Sequence, residues 1–442
     1  MDEINSYQKY STGIVIANRQ IGTNILMPLL CALVTYKFAY HYYILMIPSL
    51  STFFIRLYNV VTLLMLVFFI PTGFMVLLNI RQPKYRYLWP ALVIPGCVVL
   101  NIFYVMITSG DISILSRSYV MAAAIGTNDS SGFYFAQINT WFGNMAVVLM
   151  LAISIKNVKE VINCIVASMT VMVIPILVII MMHPSYIGLR ASTFENVSFG
   201  GGLWNIGVIG FGSLSWLSFA LLKHGTNRQK RFMVFSTILF VFVGIAGLSR
   251  TMVLMIVLSV SFYFLKTKKD IHWVGKVLLV CVMLFFFLFL QSDLLSVLLN
   301  RFGDSTSGTQ NIRFKLWAAY LSHYDEYWLV GAPLGSVYNY YYDVNLFGRN
   351  FLPHSTPLNF LIRYGVFSLF AYLNLIRFSF LSGQKYYENS TVKICILAGC
   401  IAYISLVFIN QTGFSESVFY IMFGLLLAFS RIAKEEAILK QD

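Results

Sequence analysis

Residues 232–266 read FMVFSTILFVFVGIAGLSRTMVLMIVLSVSFYFLK. The run is 35 residues long, too long for one membrane helix of about 20 residues and enough for two that reverse at a tight apex. The apolar residues are continuous rather than alternating, so the segment reads as a helix pair and not as strands. The turn is Ala246-Gly-Leu-Ser-Arg250-Thr251, which sets a single arginine at one face of the membrane.

Similar runs recur along the chain. Of 442 residues, 58% are hydrophobic and 11% charged, with a mean hydropathy of +0.75, and a soluble domain carries about twice that charged fraction. In hydrocarbon only helices or closed barrels satisfy every backbone group. The expected class is therefore all-α, a polytopic membrane helix bundle. Its spans are placed at 22–36, 40–56, 59–80, 88–108, 132–155, 161–182, 203–223, 232–248, 251–266, 274–291, 356–378, 392–409 and 417–431. Taking the first two as one broken unit, around Lys37 and His41, gives about twelve transmembrane helices and puts both termini on one side.

The formal charge of +14 invites a nucleic-acid reading, but the distribution of the cations points to the bilayer. Nineteen lysines and arginines fall in one set of alternate loops and seven in the other: Arg117, Arg190, Arg250, Arg301, Arg313, Lys315 and Arg349. The richer set is cytoplasmic by the positive-inside rule. Residues 292–355, the only long hydrophilic stretch, then form a large outward loop with short helices, inserted in a single membrane domain spanning 1–442. No cleavable signal peptide is expected, because Asp2 and Glu3 open the chain ahead of the first apolar segment. All six cysteines fall in predicted helices, so neither a disulfide framework nor a metal-type spacing is implied.

Four outward places carry candidate chemistry. Between His183 and Gly202 a loop holds Arg190, then Gly200, Gly201 and Gly202; a plain turn is the alternative reading. At the apex Arg250 either snorkels as a helix anchor or points inward as a functional charge. Residues 311–322 show an apolar face at 312, 316, 317, 320 and 321, as a short amphipathic helix lying on the membrane would. Arg313 opens that helix, free for a ligand or paired with Asp304. His354 directly precedes the next span, in Pro353-His-Ser-Thr-Pro357, where a structural role is the competing reading. Arginine holds phosphate oxygens in a bidentate fork, and a histidine with a pKa of about 6.5 takes a proton at neutral pH. Together they suit phosphate-linked group transfer. Outward carboxylates are scattered, so the expected site uses neither metal nor cofactor.

Over roughly residues 185–380 the chain resembles the bacterial O-antigen polymerases and O-antigen ligases, integral membrane glycosyltransferases of the C-type fold. The resemblance rests on Arg190 and Gly201 with ten residues between them, on Ser249-Arg250-Thr251, and on Arg313-x-x-x-Trp317. It extends to Gly331-Ala-Pro-Leu-Gly335 and to His354-Ser355 with Gly365 eleven residues on. Ser368 departs from the pattern, since ligases generally show Gly or another preferred residue there. The resemblance implies a periplasmic site in the bacterial inner membrane. There Arg190, Arg250 and Arg313 bind the diphosphate of an undecaprenyl-diphosphate-linked oligosaccharide, and His354 activates the acceptor hydroxyl for inverting attack. Implied partners are that donor, the acceptor glycan, the bilayer and a chain-length regulator, with no nucleic acid. The Arg190–Gly201 spacing and Ser368 favour a polymerase over a ligase acting on lipid A core. A flippase for the same lipid-linked oligosaccharide is the rival from another class; it is disfavoured because the outward charge is gathered in one asymmetric loop and not paired at mid-membrane.

Overall fold

The computed structural model describes residues 25–82, 85–109, 133–183, 202–247, 249–267, 317–318, 320–322, 324–332, 353–410 and 413–440. Within them the chain is a helical bundle. In order the helices are α1 (Leu26–Met46), α2 (Ser51–Asn79), α3 (Pro90–Ser109), α4 (Phe133–Ser154), α5 (Val158–Met182), α6 (Leu203–Leu221), α7 (Asn227–Ala246), α8 (Arg250–Lys266), the short α9 (Tyr324–Tyr327), α10 (Thr356–Leu381), α11 (Ser390–Ile409) and α12 (Ser417–Leu439). Among the described residues ten helices are long and apolar enough to cross a membrane. α8, at 17 residues, falls just short of that length, and the expected span 274–291 lies outside the described residues.

The N-terminal spans need a correction. Residues 25–80 are divided at Ile47, where the backbone leaves the helix and Pro48 opens a single 3-10 turn into α2. The breaks expected near 37–40 and at 57–58 are not there. Lys37 and His41 lie inside α1, and Lys37 is buried with its ammonium 5.7 Å from the centre of the Tyr58 ring. An aromatic face thus shelters a cation that sequence reading takes as a breaker.

Local signals set the helix ends. Thr226 and Gln229 form a reciprocal capping box on α7, Asn157 caps α5, and Asn389 caps α11. α6 carries a π turn over Phe211–Ser215, where the Ser215 hydroxyl donates to the Gly210 carbonyl at 3.1 Å. The apex of the opening segment forms as expected. α7 stops at Ala246, Gly247 lies so close to Trp204 that a Cβ would stand 2.1 Å from the Trp204 Cβ, and Ser249 caps α8 through the Met252 amide.

Burial orders the bundle. α6 and α12 sit at the centre, with 89% and 83% of their membrane-length windows buried, while the Pro48–Leu78 segment, at 22%, is peripheral and apolar on every side. Such an all-round apolar surface suits contact with lipid. α12 packs on α1, α4, α5 and α10.

Helix ends sort into two faces. α8 runs antiparallel to α11, since Tyr263 lies beside Cys395 while Met255 and Leu406 both reach Gly212. The Arg250 end therefore lies at the Asn410 end. Thr356 donates to the Asn410 carbonyl at 3.3 Å, and Tyr42 reaches Asn205 near the start of α6. At the other face Arg431 bonds the Ala152 carbonyl, and Ser382 pairs with Ser430.

Candidate active site

α10 begins with an unusual corner. His354 has φ 46°, the only described residue other than glycine with a positive φ, a conformation that costs of order 1–3 kcal/mol and persists where neighbours over-determine it. The neighbours of His354 supply that constraint. The Trp317 indole donates to the Pro353 carbonyl at 2.6 Å. Ser355 is extended and accepts from both the backbone amide and the side-chain amide of Asn359, at 2.9 and 3.0 Å. Pro357 supplies a preset φ in the first turn, and Thr356 ties the corner to Asn410. The imidazole is thus carried half-buried on a rigid corner.

Trp317 is the last residue of the Arg313-x-x-x-Trp317 pattern, and its bond to Pro353 brings the tryptophan against the histidine corner. Residues 317, 318 and 320–322 are helical, as the amphipathic reading requires, with Tyr320 buried and Leu321 exposed. Arg313 and Arg190 themselves lie outside the described residues. Arg250 is the first residue of α8 and shares the face of the bundle that carries His354, by the helix directions given above.

Two glycines of the sequence pattern meet below the corner. Gly365 interrupts α10 with φ 79° and ψ −179°, and Gly331, φ 86°, lies against the Arg363 carbonyl. The Ala332 amide donates to the Ile362 carbonyl and the Val366 amide to the Trp328 carbonyl, both at 2.7 Å. Residues 328–332 therefore take up the backbone groups that the interruption frees. Neither glycine has room for a side chain: a Cβ on Gly365 would stand 2.1 Å from the Leu329 oxygen, and one on Gly331 2.3 Å from the Arg363 carbonyl. Asn101 of α3 clasps the same strip, its amide donating to the Val330 and Ala332 carbonyls at 2.9 and 3.1 Å. Ser368 gains a role here. Its hydroxyl donates to the Gly365 and Phe360 carbonyls at 2.8 and 2.9 Å, covering oxygens left by the interruption, which a glycine could not do.

Beneath the corner lies an aromatic floor. Trp141 packs on Phe360, Tyr364, Phe414 and Tyr420, and a hydrogen-bonded chain runs from Trp141 to the Tyr364 hydroxyl to Gln137 at 2.8 and 2.6 Å. Arg363, 8% exposed, stands over Phe414 with its guanidinium carbon 5.1 Å from the ring centre. Sequence reading passed over it. The usable signal was spacing: Ser355, Asn359 and Arg363 recur every fourth residue and share one face of α10. A cation–π contact contributes about 0.5–2 kcal/mol, less than burial of an unpaired charge costs. Glu416 closes the floor, its carboxylate accepting from the Gly413 and Ser415 amides at 2.7 and 3.2 Å. Burial raises its carboxyl above the usual carboxylate range, against the pull of those amides.

The cysteines Cys31, Cys97, Cys164, Cys395 and Cys400 are free; Cys281 lies outside the described residues. Among the described residues no group of three or more metal-type ligands converges.

Among curated proteins none matches the chain. A family model described as O-antigen ligase (Wzy_C) matches residues 235–373, a stretch that runs from α7 through the histidine corner to the Gly331–Gly365 contact. The chain is thus a polytopic helical membrane protein whose residues 235–373 are similar to that O-antigen ligase family.

Proposed function

We propose that the chain is an O-antigen polymerase of the bacterial inner membrane. It moves a glycan from undecaprenyl diphosphate to a hydroxyl of another lipid-linked repeat unit, on the periplasmic side. His354 takes the proton of that hydroxyl as its oxygen attacks the anomeric carbon. The anomeric carbon–oxygen bond to the diphosphate breaks with inversion, and the diphosphate leaves on its lipid carrier. Arg250, Arg313 and Arg190 hold the departing charge, a task that fixed guanidinium donors perform without a metal ion.

The observation that carries this reading is the Trp317–Pro353 bond. It sets Trp317, four residues after Arg313 in the sequence, against the corner that bears His354, within the matched residues. The description of the matched model favours the ligase as the second reading. The two differ in acceptor, and an acceptor test separates them. Purified protein given lipid-linked repeat units alone should lengthen them, whereas transfer only after lipid A core is added would make it a ligase. His354→Ala should abolish either product while the lipid-linked repeat stays accessible outside; a flippase defect would trap that repeat inside.

A further inference from the structure

We propose that Arg363 forms an anion subsite, taking a phosphate oxygen of the lipid-linked substrate beneath the histidine corner. The assignment rests on the glycosyl-transfer reading above, to which it adds a residue outside the pattern that suggested it.

Two arginines of the bundle stand in contrast. Arg431, at the opposite face, has every arm of its guanidinium engaged: Nε donates to the Ala152 carbonyl at 3.1 Å, one terminal nitrogen to Glu435 at 2.9 Å and the other to the Ile155 carbonyl. This is how a structural arginine is satisfied. Arg363 is 92% buried, and among the described residues no carboxylate or other hydrogen-bond acceptor meets it; its neighbour is the apolar face of Phe414. Buried polar groups are otherwise paired in folded proteins, and an ionisable side chain within a membrane helix marks a ligand path by default.

Position supports the assignment. Helical side chains lean toward the N-terminus of their helix, so Arg363 extends toward Asn359 and Ser355, along the face that ends at His354. Its backbone cannot drift, because Gly331 abuts its carbonyl and the preceding carbonyl, Ile362, is bonded to Ala332. The result is a fixed guanidinium that stays charged at any relevant pH, with its fork open to a phosphate.

The test uses the full chain in lipid nanodiscs, with a polyprenyl diphosphate bearing no sugar as ligand and the matching polyprenyl alcohol as control. Arg363→Gln should weaken diphosphate binding about tenfold or more, with Arg363→Lys between it and the native protein and alcohol binding unchanged in all. Without ligand, the melting temperature of Arg363→Gln should stay level or rise, because an uncompensated buried charge has been removed. Unchanged diphosphate affinity would overturn the proposal. So would an unliganded melting temperature that falls in the Gln variant and is restored by Lys, which marks a structural arginine. A loss seen only with substrates carrying an acidic sugar would also overturn it, in favour of a carboxylate ligand. His354→Ala separates this from the parent reading: it should bind diphosphate as the native protein does, and if it kept glycan transfer the reaction would fall while the affinity data still judged Arg363.

Discussion

At the scale of single residues the arginines offer the sharpest discrimination. A guanidinium presents two parallel donors to one phosphate, and an ammonium presents a single point charge. Arg250→Lys and Arg313→Lys should therefore lose about a hundredfold or more of glycan transfer despite retaining their charge. Full in vitro activity of both variants with purified donor would end the clamp proposal. Arg250 is well placed for this, since Ser249 caps the first turn of α8 and fixes the residue that follows it.

Among the elements, α10 carries most of the design. It is one helix in sequence but two in backbone, divided at Gly365 and sealed by residues 328–332. Gly365→Ala would force a Cβ into the Leu329 oxygen at a φ that side chains rarely adopt. It should cost about 2–4 kcal/mol, from strain and lost hydrogen bonds combined. Thermal unfolding in detergent should show the drop, with faster proteolysis at 324–332, and a native melting temperature would refute the contact. The sequence displayed Gly331 and Gly365 as parts of a pattern but not that they touch, because backbone pairing across more than thirty positions leaves no periodic trace. The long apolar runs of α3 to α8 and of α10 to α12 were legible, since membrane length and hydropathy decide them. The α1–α2 break was not. Lys37 is sheltered by Tyr58, and only tertiary contact reveals the shelter. Arg363 was hidden for a similar reason: a cation near a span end reads as an anchor until its burial is known.

For the whole molecule the two-faced arrangement of helix ends makes a topological prediction. Ser415 and Lys385 are both exposed and lie at opposite ends of the bundle. In right-side-out vesicles a membrane-impermeant maleimide should label Ser415→Cys at once, and Lys385→Cys only after permeabilisation. The native background should be low, because Cys31, Cys97, Cys164 and Cys395 are buried. The reverse labelling pattern would invert the membrane and place His354 in the cytoplasm. Correct labelling would support the orientation expected from the excess of lysine and arginine in one set of loops.

The fastenings at Ala332 and Pro353 have an evolutionary corollary. One is tied to Ile362 and the other to Trp317, so the twenty residues from 333 to 352 are tethered at both margins by bonds that do not involve them. Insertions, deletions and wholesale replacement there leave the tethers in place, and longer loops add little closure entropy.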